Sequence, residues 1–150
     1  MSAPDVATTV RLQVMQTVTE TGRVPDAGEV AQALDLPHEV VVGAYRRLHD
    51  GHVFVLEPGS SERLRMANPF SAVPTAFRIQ VGERSWWGNC VWDGLGMIAA
   101  LGGNGVMATT CPDCAQPEAV VIAESRLRHG SGVAYIGVPA ASWWENIIYT

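Results

Sequence analysis

The 150-residue chain contains no lysine, and all ten of its basic residues are arginine. A Schiff-base lysine and a P-loop lysine are therefore excluded, together with the two large classes of enzyme chemistry that depend on them. Positive charge is scarce as well, since the formal net charge is -5. This balance argues against a nucleic-acid-binding protein that relies on phosphate contacts.

Long apolar runs are also missing. No stretch approaches the roughly 18 to 20 residues of a membrane span, and the first residues, MSAPDVATTVRLQ, lack the basic start and apolar centre of a secretory signal. We therefore expect no membrane association and a cytoplasmic location. With 47% hydrophobic residues, the chain can bury the core of one large domain or of two small ones.

The first 68 residues show the pattern of a winged-helix-like domain. Apolar spacing predicts a helix over residues 5–21, a second helix capped by Asp26 and Glu29, and a third helix from Pro37 to Gly51. Two short strands around a Pro-Gly-Ser-Ser turn follow. Such a domain can bind DNA through its third helix, but six arginines against nine acidic residues favour a packing or dimerising module, so a homodimer is a further expectation.

Residues 69–150 are predicted to form a second domain. Two prolines in NPFSAVPT indicate a linker, after which AFRIQVGERSWWGN predicts a half-buried strand with a Gly-Glu turn. A helix is predicted over residues 90–102. Two strands around a tight turn are then predicted in GVMATTCPDCAQPEAVVIAES, and one more strand is predicted in GVAYIGVPAA. The chain is therefore predicted to be an α+β protein with a mixed, mostly antiparallel sheet and a helix that carries Cys90 and Asp93.

Cys90 and Asp93 stand three positions apart in WWGNCVWDGLG, a spacing that places both on one face of a helix. A cysteine at a helix N-terminus can have a lowered thiol pKa, although a buried structural cysteine is the plain alternative. Asp93 either caps backbone N–H groups or holds a proton, and burial against Trp87 or Trp92 would raise its pKa. The pair is thus a candidate thiol and proton donor in one pocket.

Three cysteines in such a chain are more typical of free thiols, metal ligands or redox groups than of a disulfide framework. Cys111 and Cys114 form a C-x-x-C motif, which we interpret as a turn between strands that can also bind a soft metal ion. His129, in RLRHGSG, is predicted to lie in a loop.

The chain resembles the alkylmercury lyase family in NPFSAVPTAFRIQ, WWGNCVWDGLG, TTCPDCAQP and VPAASWW. The most specific element is N-C-x-x-D before apolar residues. The resemblance implies that Cys90 takes the mercury and Asp93 delivers a proton to carbon, while Cys111 occupies the place of a structural cysteine. Family members use a second catalytic cysteine shortly before the V-P-x-x-x-W stretch, where this chain has His129 or a neighbour in HGSG.

Three functions follow as hypotheses. The first is protonolytic cleavage of a carbon–mercury bond by Cys90 and Asp93, with an organometal as the small-molecule partner and no required cofactor. The second is non-catalytic binding of a mercury, copper or zinc ion by Cys90, Cys111, Cys114 and His129, all or in part. A winged-helix regulator, or reuse of the fold for another lyase or biosynthetic reaction, is the weaker alternative.

Overall fold

A computed structural model describes residues 5–148 of the chain. It begins with three helices, α1 (Val6–Thr21), α2 (Ala27–Leu34) and α3 (His38–Asp50), as predicted. The capping box at the start of α2 is also confirmed, because Asp26 accepts the Glu29 N–H at 2.9 Å and the Glu29 carboxylate accepts the Asp26 N–H at 2.9 Å. The predicted stop of α1 is Gly22, which adopts a left-handed conformation with φ of 77°.

Eight strands follow and form one antiparallel sheet. They are β1 (Phe54–Leu56), β2 (Leu64–Ala67), β3 (Phe70–Ser71), β4 (Phe77–Val81), β5 (Arg84–Gly88), β6 (Gly105–Thr110), β7 (Pro117–Ala123) and β8 (Arg126–His129), in the order β1-β2-β3-β5-β4-β6-β7-β8. One helix, α4 (Val91–Ala100), lies between β5 and β6, and a short 3-10 helix covers Ala140–Glu145. The predicted α+β class is confirmed, although every strand pair is antiparallel rather than mixed.

Two sequence predictions about strands are wrong. GVAYIGVPAA, residues 132–141, forms no strand; Val133 and Tyr135 are 93% and 87% exposed, so its alternating apolar residues have no sheet face to cover. The edge of the sheet is instead β8, which pairs with β7 and places His129 at a strand end rather than in a loop. The stretch interpreted as a linker contains β3, whose two residues pair with β2 and β5.

The buried residues form two clusters that share one sheet. The first joins the three helices to β1 and β2, and the second packs α4 against β4, β5 and β6. Val18 of α1 belongs to the second cluster, and its carbonyl accepts the Trp86 indole N–H at 2.7 Å. The predicted domain boundary at 68/69 falls between β2 and β3, within the continuous sheet. The two-domain division and the winged-helix assignment stay predictions.

Helix α4 lies close to the sheet because two glycines permit it. A Cβ atom on Gly94 would overlap Met107 Sδ and stand 3.3 Å from Ile79 Cδ1, and one on Gly88 would stand 2.9 Å from Ile79 Cδ1. Ile79, Met107 and the α4 residue Ile98 are fully buried. This close contact fixes the first turn of α4, where Cys90 and Asp93 lie. Among residues 5–148, no helix is both long and apolar enough to cross a membrane.

Candidate functional site

Cys90 is the residue that immediately precedes α4. Strand β5 ends at Gly88, and Cys90 then adopts an extended conformation, with φ of -150° and ψ of -178°, as the N-cap residue. Its sulfur makes no hydrogen bond with N-cap geometry, although the nearby N–H groups of Trp92 and Asp93 act on it electrostatically. Asp93 follows in the first helical turn. The predicted helical placement of this pair is therefore observed.

The pair opens onto a cavity of about 500 Å³. The walls come from β2, the turn after α3, the start of α4 and the C-terminal segment. The lining residues are His52, Met66, Asn68, Phe77, Asn89, Cys90, Val91, Trp92, Asp93, Tyr135, Ile136, Gly137, Val138, Trp143, Trp144, Ile147 and Ile148. Trp92 is thus a wall, as predicted, whereas Trp87 lies outside this set, with its ring 5.7 Å from the Arg78 guanidinium carbon.

The carboxyl group of Asp93 is partly shielded from water. Burial raises its pKa above the usual value, and hydrogen bonds from Asn89 and from the Cys90 thiol oppose that effect without cancelling it. Asp93 therefore holds a proton more readily than a solvated aspartate does. This is the direction predicted for a proton donor.

The Cys90 thiol is half-buried and differs from the sequence prediction. Burial raises its pKa, the backbone N–H groups of Asp93 and Trp92 lower it, and the Asp93 carboxylate raises it further. The helix N-terminus therefore acts in the predicted direction, but desolvation of the thiolate outweighs it. The net effect is a raised thiol pKa, the opposite of the lowered pKa predicted from the helix N-terminus.

Asn89 is a site residue that the sequence prediction missed. Its side-chain nitrogen lies 3.0 Å from Asp93 Oδ2, 3.3 Å from Asn68 Oδ1 and 3.2 Å from the Pro69 carbonyl oxygen. The Asn89 Oδ1 atom is buried without a protein partner. The amide thus joins the β2–β3 turn to the carboxylate of Asp93. Its place beside Cys90 in the motif was the available signal.

A model of the alkylmercury lyase family matches residues 70–150, which is more than half of the chain. The chain belongs to the alkylmercury lyase family. The matched region contains β3 and all later elements, including Cys90 and Asp93. The sequence resemblance is therefore confirmed at the level of the family.

The fold of this family member is similar to the crystal structure of the mercury-bound form of MerB2, with a TM-score of 0.68 at 16% sequence identity. The similarity covers 87% of this chain and 62% of that one, so the chain spans less than two thirds of the length of MerB2. At that identity, the likeness concerns the fold alone. No curated protein matches the chain.

The structure does not bring His129 to the cavity. His129 is exposed at the end of β8 and pairs with Val121 of β7, while the cavity is lined by residues from other strands. His52 and Met66, which do line the cavity, were missed because their approach depends on the packing of α3 and β2. The His52 ring stacks on Trp144 with centroids 4.1 Å apart and an interplanar angle of 6°.

Cys111 and Cys114 lie together in the turn between β6 and β7, as the sequence predicted, and outside the cavity lining. Within residues 5–148, no group of three or more His, Cys, Asp or Glu side chains is arranged to hold a metal ion. The four predicted ligands therefore separate into Cys90 in the cavity, the Cys111–Cys114 pair in a turn, and His129 on an edge strand.

Proposed function

We propose that this alkylmercury lyase family member cleaves carbon–mercury bonds by protonolysis, with Cys90 as the mercury-binding thiol and Asp93 as the proton donor. The observation that carries the proposal is the placement of Cys90 and Asp93, three residues apart at the start of α4, in the lining of one cavity. A thiol supplies the soft ligand that mercury prefers. The neighbouring carboxylate supplies a place for the proton that the thiol must lose.

The reaction balances with these two groups alone. A substrate R–Hg–X loses X⁻ as the Cys90 sulfur forms its bond to mercury, and the thiol proton passes to Asp93. Asp93 then donates this proton to the carbon of R, the carbon–mercury bond breaks with its electron pair on carbon, and the hydrocarbon RH leaves. Hg(II) stays bound to the Cys90 sulfur. The reaction changes no oxidation state and needs no external oxidant. The raised pKa of Asp93 favours the intermediate in which it carries the proton.

The rest of the cavity fits the organic part of such a substrate. Aromatic side chains from Phe77, Trp92 and Trp143 line it together with aliphatic ones, so an apolar group R can be held out of water. His52 and Met66 add a nitrogen and a thioether sulfur to the same wall.

Hydrocarbon release tests this proposal. Purified protein is incubated with phenylmercuric acetate and excess 2-mercaptoethanol, and benzene is followed by gas chromatography. We expect catalytic release from the wild type and none above background from Cys90→Ser. Serine retains the size of cysteine but lacks a soft donor, and Cys114→Ser, whose exposed side chain lies outside the cavity, is the matched control. Equal yields from wild type and Cys90→Ser would contradict the proposal.

Non-catalytic binding of a soft metal ion is the second candidate. The observation that favours it is that Cys90 supplies the only thiol among the described residues that line the cavity. In that case the protein would take up mercury stoichiometrically and release no benzene.

DNA binding is the weaker alternative, because Arg47 of α3 is already paired with Asp5 at 3.0 Å. The homodimer and the cytoplasmic location stay predictions.

A further inference from the structure

We propose that Cys111 and Cys114 form a second mercury site, in which the two sulfur atoms together bind one Hg(II) ion. The two cysteines are free and lie at the surface, Cys111 partly exposed and Cys114 fully exposed. The site is separate from the cavity that contains Cys90. Binding by this pair is independent of catalysis, whereas its supply with Hg(II) from Cys90 rests on the proposed function.

Backbone hydrogen bonds close the turn between β6 and β7 that carries the two cysteines. The Cys111 N–H donates to the Gln116 carbonyl at 2.9 Å, and the Ala115 N–H donates to the Cys111 carbonyl at 2.9 Å. Ala115 closes the turn with a positive φ of 57°. Cys111 and Cys114 stand three positions apart within this closed turn, the spacing at which two side chains of a helical turn are neighbours.

The surroundings of Cys111 favour its thiolate form. Backbone N–H groups of Cys114 and Asp113 and the Cys114 thiol all lower the pKa of Cys111. This is opposite to Cys90, whose pKa burial raises.

The binding step is a simple exchange of protons for metal. Two S–H bonds and the bonds from Hg(II) to its previous ligands break, two S–Hg bonds form, and the two protons pass to the displaced ligands or to solvent, with no change in oxidation state. Soft cations prefer thiolate ligands, and Hg(II) is satisfied by two sulfurs in line. A preformed pair holds the ion more tightly than two separate thiols, because the second sulfur binds in an intramolecular step.

The pair also lies at the end of the sheet from which Cys90 emerges. Phe77 of β4 pairs with Gly88, two residues before Cys90, and Arg78 of β4 pairs with Ala108, three residues before Cys111. Strands β5 and β6 therefore flank β4 and end on the same side, about 10 Å apart at the usual strand spacing. A Hg(II) ion released from Cys90 can therefore bind to the Cys111–Cys114 pair at the same end of the sheet.

Hg(II) titration in the absence of an organomercurial tests the proposal. The protein is the Cys90→Ser variant, reduced and kept anaerobic, and HgCl₂ is added in the presence of excess 2-mercaptoethanol. We expect one Hg(II) per chain, loss of both free protein thiols and no change in molecular mass on size-exclusion chromatography. Cys90→Ser/Cys114→Ser and Cys90→Ser/Cys111→Ser are the matched controls.

Each control should bind Hg(II) about a hundredfold more weakly against the competing monothiol, because it lacks the intramolecular second sulfur. Equal affinity of Cys90→Ser and either double variant would overturn the proposal, as would Hg(II)-linked dimers of Cys90→Ser. The proposed catalytic function is tested separately with a Cys111→Ser/Cys114→Ser protein, which still has Cys90. If this protein releases no benzene, the catalytic proposal fails, whereas the Hg(II) titration still decides whether the second site exists.

Discussion

Replacing Gly94 with alanine tests whether α4 is held as close to the sheet as the site geometry requires. The new methyl group would overlap Met107 Sδ and stand 3.3 Å from Ile79 Cδ1, and both neighbours are fully buried. Overpacking of this kind costs about 1–3 kcal/mol. Alanine regains about 1 kcal/mol as the better helix former. The expected net loss of unfolding free energy is therefore about 0–2 kcal/mol.

Gly96 is the matched control, because it is exposed on the same helix and a Cβ atom there meets nothing within 4 Å. Gly96→Ala should gain the full helix propensity of about 1 kcal/mol. Urea unfolding followed by tryptophan fluorescence should therefore place Gly94→Ala about 1–3 kcal/mol below Gly96→Ala. If Gly94→Ala is as stable as Gly96→Ala, the close contact that positions Cys90 and Asp93 is refuted.

Three further predictions concern single side chains. Glu29, whose pKa is lowered to about 2 chiefly by the Arg23 guanidinium, stabilises the fold above pH 4.5, and this contribution is lost as the pH falls towards 2. Because both side chains are well exposed, the Glu29→Gln substitution should remove only about 1 kcal/mol of the loss in unfolding free energy at low pH, measured by urea unfolding at several pH values. An unchanged dependence of the unfolding free energy on pH would contradict this prediction. The Trp86→Phe substitution removes the indole hydrogen bond to the Val18 carbonyl and should lower the unfolding free energy by about 1–2 kcal/mol. The Val18 carbonyl still accepts the Gly22 N–H in this variant. No loss of stability would show that the hydrogen bond between Trp86 and α1 is unimportant. The Asp93→Asn substitution is made in a Cys111→Ser/Cys114→Ser background, so that Cys90 is the one thiol left to react with iodoacetamide. Because the Asp93 carboxylate raises the pKa of the Cys90 thiol, the pH profile of alkylation should move to lower pH. Superimposable profiles would show that the two groups do not communicate.

Local patterns in the sequence were sufficient to predict much of the fold. The capping box of α2 and the apolar spacing of α1 and α3 depend on residues within a few positions of one another. The shared cavity of Cys90 and Asp93 follows from their three-residue spacing at a helix start. These features are properties of single elements, so they can be predicted without knowing what packs against them.

The remaining features depend on contacts between distant parts of the chain. Asn89 is adjacent to Cys90, yet two of its partners are some 20 residues away in the β2–β3 turn. His52 reaches the cavity and stacks on Trp144, which lies 92 residues further along the chain. Strand β3 has two residues, too few for a period to be visible, and exists because β2 and β5 flank it. The raised thiol pKa likewise reflects burial, which the motif alone does not reveal.

The most direct test of the central claim separates mercury capture from proton delivery. A Cys111→Ser/Cys114→Ser protein, with and without Asp93→Asn, is exposed to one equivalent of phenylmercuric acetate and analysed by native mass spectrometry. We expect Hg(II) without phenyl on the protein that retains Asp93, and an intact phenylmercury adduct on the Asp93→Asn protein, whose mercury binds Cys90 but whose carbon receives no proton. Loss of the phenyl group at equal rates from both proteins would show that Asp93 is not the proton donor.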